Sequence, residues 1–177
     1  ASVAQTFGQM IRAGRHLIIP LYAANQIGLD VAQIGLIMSI SAIVDVSMFV
    51  PAGILMDRFG RKVASVPSFG VMALGVALIP LSTDFKTLML VGILIGLGNG
   101  LGSGAMMTLG ADMAPMGATG EFLGIWRLIG DVGGAAGPLV VGTVAGSLGL
   151  ARSSYVLAGF GFAASLTIAL LVRETRQ

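Results

Sequence analysis

Long apolar runs alternate with short polar breaks along the whole chain. Six runs stand out, near residues 6–27, 32–56, 63–82, 87–111, 121–148 and 152–172. Each reaches the roughly 20 residues that an α-helix needs to cross a bilayer. Lipid offers no hydrogen-bond partners, so backbone this deeply apolar must pair its own N–H and C=O groups, as a helix does. The pattern predicts an all-α polytopic membrane protein of six transmembrane helices. The breaks carry capping chemistry. Gly28 closes the first helix and Asp30 opens the second, and Ser82-Thr83-Asp84 stands before the fourth. Pro115, Gly117 and Gly120 separate the fourth from the fifth, which opens near Glu121. No linker or low-complexity tract divides the chain, so residues 1–177 read as a single domain.

Composition sharpens this. Hydrophobic residues make up 55% of the chain and charged ones 10%, against about 25% charged in soluble domains. A net charge of +2 with no basic patch interleaved with aromatics argues against nucleic acid. With no cysteine and only His16, no metal site or cofactor is expected. The chain has neither H-E-x-x-H nor G-x-S-x-G, and no enzyme is expected. The few cations are unevenly placed. Arg58, Arg61 and Lys62 share the loop after the second run and Arg173 and Arg176 the tail, whereas the opposite loops hold Lys86 and Arg152. By the positive-inside rule both termini face the cytoplasm, as for a protein of the plasma or bacterial inner membrane.

The loop does more than orient the chain. Gly53, Asp57, Arg58, Gly60, Arg61 and Lys62 spell G-x-x-x-D-R-x-G-R-K at the turn between the second and third helices. This resembles the signature loop of major facilitator superfamily transporters. The fifth run, GIWRLIGDVGGAAGPLVVG, places Gly124, Gly133, Gly137, Pro138 and Gly142 on a spacing similar to the glycine–proline motif of that family's proton-coupled drug antiporters. Val141 departs from it, standing where a second Gly is usual. Read physically, Gly53 lets a neighbouring helix approach, Asp57 lies close to the N-terminal dipole of the third helix, and Gly60 permits the turn. Arg58 and Arg61 are expected to reach Asp112 and Glu121, the acids flanking the next cytoplasmic loop. The resemblance implies that such pairs latch the cytoplasmic side and break as it opens.

The resemblance also implies a half-size unit. Family members usually have twelve helices in two six-helix halves, each made of two inverted three-helix repeats. The run RHLIIPLYAANQIGLDVAQIG and the ending VRETRQ are more similar to a second half than to a first. The partner half is then another part of a longer chain or a second copy in a parallel homodimer.

Ionisable groups inside a bilayer are costly and point to function. Asp45 lies 12 residues before Asp57, roughly 18 Å from that helix end. Asp131 lies ten residues after Glu121, roughly 15 Å deep, with Arg127 at the spacing that permits an ion pair. Arg15, His16, Asp45, Asn99, Arg127 and Asp131 are the candidates for substrate binding or proton coupling. Arg12 is expected to snorkel to the interface. Asp45 has no partner on its own helix and is the favoured proton carrier, whereas Arg127 is expected to hold Asp131 ionised. Gly92, Gly96, Gly100 and Gly104 recur every four residues, a spacing for close helix packing. Pro51 and Pro138 are expected to bend their helices, and Tyr22 and Trp126 to line a cavity. The reading is a secondary active transporter, or half of one, moving a small solute by alternating access, with proton coupling and drug-like efflux implied by the resemblance. The competing reading is a non-transporting six-helix membrane scaffold.

Overall fold

The structure, a computed structural model, describes residues 2–102, 104–115 and 117–171, without the side chains of Met106 and Leu171. Arg173 and Arg176 lie outside the described residues. The described elements are all helical: α1 (Ser2–Tyr22), α2 (Val31–Ser47), α3 (Phe49–Phe59), α4 (Arg61–Leu78), α5 (Phe85–Gly102), α6 (Ala105–Met113), α7 (Thr119–Leu148) and α8 (Leu150–Leu171). They make six spans. α1 runs on through a π-helical turn, Ala23–Ile27, as the first. α2 and α3 stack as the second, α4 is the third, α5 and α6 the fourth, and α7 and α8 the last two. Five of the six are long and apolar enough to cross a membrane by length and composition. The first is less apolar, since it carries Gln5, Gln9, Arg12, Arg15 and His16.

The caps follow the local chemistry. Gly28 adopts φ 76°, a left-handed conformation that costs glycine little. Asp30 and Gln33 form a reciprocal capping box at the start of α2, with 2.7 Å from the Gln33 N–H to Asp30 Oδ1. The second span, expected as an unbroken helix, is split. It breaks at Met48, three residues before Pro51, whose ring clashes with the carbonyl of Ser47 and cannot return its hydrogen bond. Pro138, in contrast, sits inside an unbroken α7.

Packing shows the internal repeat. The first span packs on the fifth and sixth, the third on the fourth and sixth, and the second on the fourth. Exchanging spans one to three with four to six leaves this set of contacts unchanged. Short loops make the first and fourth spans run in opposite directions, so the repeats are inverted. Phe69, Ile11, Ile18, Met72, Ile95 and Leu157 are fully buried between the central spans. The outer second and fifth spans expose Ile43, Val46, Val50, Leu128, Val132 and Leu139.

Two glycine seams set the close approaches. A Cβ on Gly96 or Gly100 would collide with the carbonyl of Ser41 or Asp45 on α2. One on Gly133 or Gly137 would collide with the carbonyl of Thr6 or Met10 on α1. Small residues let backbones meet where lipid supplies no hydrophobic drive between helices.

Candidate functional site

The deepest polar cluster joins the first, second and fourth spans. Gly96 and Gly100 bring α5 against α2, which lets the short side chain of Asn99 reach Asp45. Asn99 Nδ2 donates to Asp45 Oδ2 at 2.6 Å, and Arg15 Nη2 donates to the same oxygen at 3.2 Å. Arg15 and Asn99 are each 7% exposed. One turn away, Arg12 Nη2 donates to the Gly102 carbonyl at 2.7 Å, and its guanidinium lies 5.2 Å from the centroid of the Phe69 ring. Gly102 is the last described residue of α5.

The cluster is incompletely satisfied. Arg12 Nε, Arg15 Nε, Asp45 Oδ1 and Asn99 Oδ1 are buried without a hydrogen-bond partner. Two arginines face one carboxylate, a balance of +2 − 1 = +1 with His16 neutral. A cavity of about 20 Å³, room for one water, lies beside them, lined by Arg15, His16, Ile19, Met38, Ser41 and Ala42. His16 is exposed at its edge.

Several expectations change here. Asp45 does not lack a partner: Arg15 and Asn99 reach it from two other helices. Arg12 does not snorkel outward but turns in to Gly102 and Phe69. Arg127 and Asp131 do not join the cluster, and no ion pair forms between them among the described residues. Both are exposed on α7, whose inner face is taken by Trp126, Gly130, Gly133, Gly137 and Val141. Their order, with the cation on the N-terminal side, is also the weaker one for a helical pair. Tyr22 and Trp126 are buried in helix packing rather than set around a cavity, and the Tyr22 hydroxyl donates to the Pro80 carbonyl at 2.9 Å. Sequence reasoning missed Gly102 and Phe69 as partners of Arg12. The end of α5 within the glycine-rich run GLGNGLGSG was the only local hint.

The loop after the second span forms a second polar site. Gly60, at φ 94°, turns the chain from α3 into α4. Arg61 then pairs with Asp112 of α6: Nη2 donates to Oδ1 at 3.2 Å, and Nε lies in ion-pair contact with Oδ2. Of the two expected acids, Asp112 is the one engaged by Arg61. Glu121 is exposed in the first turn of α7, where a negative charge suits the helix dipole. Asp57 and Arg58 are exposed, and Lys62 is partly exposed beside them. Gly53 does not admit a neighbouring helix within this chain, since a Cβ there would enter open space, and the same holds for Gly124 and Gly142. Among the described residues no three metal-ligating side chains come together.

Comparison with known proteins agrees with this architecture. The sequence model of the Major Facilitator Superfamily matches residues 2–177. A probable nitrate transporter of Staphylococcus haemolyticus is 26% identical over 170 residues, 96% of this chain and 43% of its own. The minor myo-inositol transporter of Bacillus subtilis is 33% identical over 144 residues, 80% of this chain and 32% of its own. An uncharacterised MFS-type transporter of Methanocaldococcus jannaschii is 27% identical over 143 residues, 81% of this chain and 36% of its own. Among solved structures, a crystal structure of the peptide transporter POT in complex with alafosfalin superposes with a TM-score of 0.80 at 22% identity. That match covers 94% of this chain and 36% of POT. The chain therefore spans about a third to two fifths of the length of the relatives it matches.

Proposed function

The chain belongs to the major facilitator superfamily, and from that premise we propose that it is one half of a secondary active transporter moving a small solute by alternating access. It is an integral membrane protein, and its relatives are transporters rather than enzymes. The second half is the rest of a longer chain or a second copy in a parallel homodimer. The observation that carries the reading is the Arg15–Asp45–Asn99 cluster, held by three spans in the interior of an apolar bundle. A scaffold has no use for ionised groups there, and retaining them in lipid is costly. The exposed apolar faces of the second and fifth spans fit a second half as their cover.

The finer features follow from the same premise. Cytoplasmic termini agree with the cations of the 57–62 loop. The Arg61–Asp112 pair belongs to a cytoplasmic latch that loosens when that side opens. Asp45 is the proton carrier: its unpartnered Oδ1 is the place for a proton, and protonation weakens its hold on Arg15. The relatives' names span a nitrate, an inositol and a peptide transporter, so they leave the solute class open. Drug-like efflux rests on the glycine–proline motif alone, of which Gly133 and Gly137 make close contacts.

The test is uptake by the intact protein in proteoliposomes under an imposed proton gradient. Gradient-driven flux that becomes insensitive to the gradient in Asp45→Asn is the expected result. Unchanged proton dependence in that variant removes Asp45 as carrier, and no flux of any solute tried returns the scaffold reading.

A further inference from the structure

The charge balance of the buried cluster has no counterpart among the described residues. Arg12 and Arg15 stand one turn apart on α1, and among the described residues the one carboxylate found in contact with this pair is Asp45, bound by Arg15. Asp45 engages Arg15, while Arg12 is held by a neutral carbonyl and an aromatic face. One positive charge is left over, and each guanidinium keeps a buried Nε–H without an acceptor. An uncompensated cation inside a membrane is among the costliest arrangements a bundle can hold. It persists where something of opposite charge arrives. The one-water cavity beside Arg15 marks where a single acceptor atom of an anion fits, with the rest of the anion outside the His16 edge. Its wall includes His16, exposed at the edge, and Ser41, whose neighbours Met38 and Ala42 complete an otherwise apolar lining.

We propose that this cluster is a binding site for a small monoanion, a carboxylate or an inorganic oxyanion, docking on Arg15 with His16 at the rim. The proposal rests on the transporter reading and names the solute class for the same site. A single negative charge brings the site to neutrality. A carboxylate or oxyanion presents the acceptor atoms that guanidinium donors match, and it binds Arg through charge-assisted hydrogen bonds. Asp45 competes with the anion for Arg15, so the bound anion and the proton on Asp45 favour each other. Neutralising Asp45 frees Arg15 to turn fully to the solute.

The test uses the intact protein in detergent, its thermal midpoint read at fixed ionic strength with added nitrate, lactate or benzoate. Lactamide and benzamide serve as neutral partners of the same shape. The expected result is a saturable rise in midpoint with at least one anion and none with the amides. Arg15→Gln should weaken that anion by about tenfold or more, the loss of one charge-assisted contact. Asp45→Asn should tighten it, which no purely structural role for Asp45 explains, and this variant decides the matter if Arg15→Gln does not fold. No saturable response to any of the three anions, an equal response to the amides, or unchanged affinity in folded Arg15→Gln each overturns the proposal. So does weaker or unchanged anion binding in Asp45→Asn. Binding is read without transport, so anion binding in a protein that moves no solute keeps this inference and removes the transporter reading. Transport of neutral solutes alone, with no anion response, does the reverse.

Discussion

Arg61 and Asp112 offer a prediction with a sign that simple inspection would reverse. The pair has one hydrogen bond and a second nitrogen–oxygen contact, with side chains 29% and 25% exposed. At 3.2 Å and an effective dielectric of about 20, the gross attraction is about 5 kcal/mol. Desolvation and the ordering of two long side chains remove most of it, leaving a net coupling of about 1 kcal/mol, near the top of the range for surface pairs. Each partner also sits at the wrong end of its helix. Arg61 is the first residue of α4, and Asp112 is the next-to-last of α6. Each is opposed by its own helix dipole by about 0.3–1 kcal/mol. Arg61→Gln and Asp112→Asn therefore each remove a favourable pair and an unfavourable helix-end charge together, and each alone should look mild. The exchanged variant, Arg61→Asp with Asp112→Arg, keeps the pair and reverses both dipole terms, so it should be at least as stable as the parent. The assay is a double-mutant cycle on thermal or denaturant unfolding in mild detergent. The single tryptophan, Trp126, is buried against Gly110 of α6 and reports loss of that packing. A coupling below about 0.3 kcal/mol, or an exchanged variant less stable than either single one, refutes the reasoning.

Two further outcomes follow from the packing and the loops. Gly137→Val should destabilise by about 1–3 kcal/mol or more, because the added atoms meet the Met10 carbonyl and the Gly14 N–H, which are backbone and cannot swing away. Gly142→Ala, from the same motif but facing open space, should be near neutral; equal costs in the two unfolding curves would sink the seam argument. In the loop before the fourth span, the Thr87 hydroxyl and backbone N–H both donate to Asp84 and hold its carboxyl below the usual range, with Lys86 adding a smaller pull. The folded value is the depressed one, so this contribution is fully present above about pH 4 and is lost as pH falls through the lowered value. Thr87→Val should flatten that acid limb of the stability–pH curve, and an unchanged limb would contradict it.

What the sequence determined by itself was everything that is local. Six apolar runs, the αL glycine at Gly28, the capping box of Asp30 and Gln33 and the turn at Gly60 follow from the residues present at each place, because helix formation and capping are decided within a few positions. The loop from Gly53 to Lys62 was likewise legible as a family resemblance, and the cluster members Arg15, Asp45 and Asn99 stood out as polar residues where lipid should be. Their pairing was not legible. Asp45 and Asn99 are 54 residues apart, and Arg12 reaches a carbonyl 90 residues away. Only tertiary packing decides that Gly96 and Gly100 bring α5 onto α2, or that the Gly102 carbonyl comes within reach of Arg12. The same packing turned the inner face of α7 to its glycines and left Arg127 and Asp131 outside, although helical spacing alone made them a pair. Proximity along a helix sets which side chains are able to meet. Which of them do is set by how closely neighbouring backbones approach, and in this bundle that is governed by small residues on helices distant in sequence.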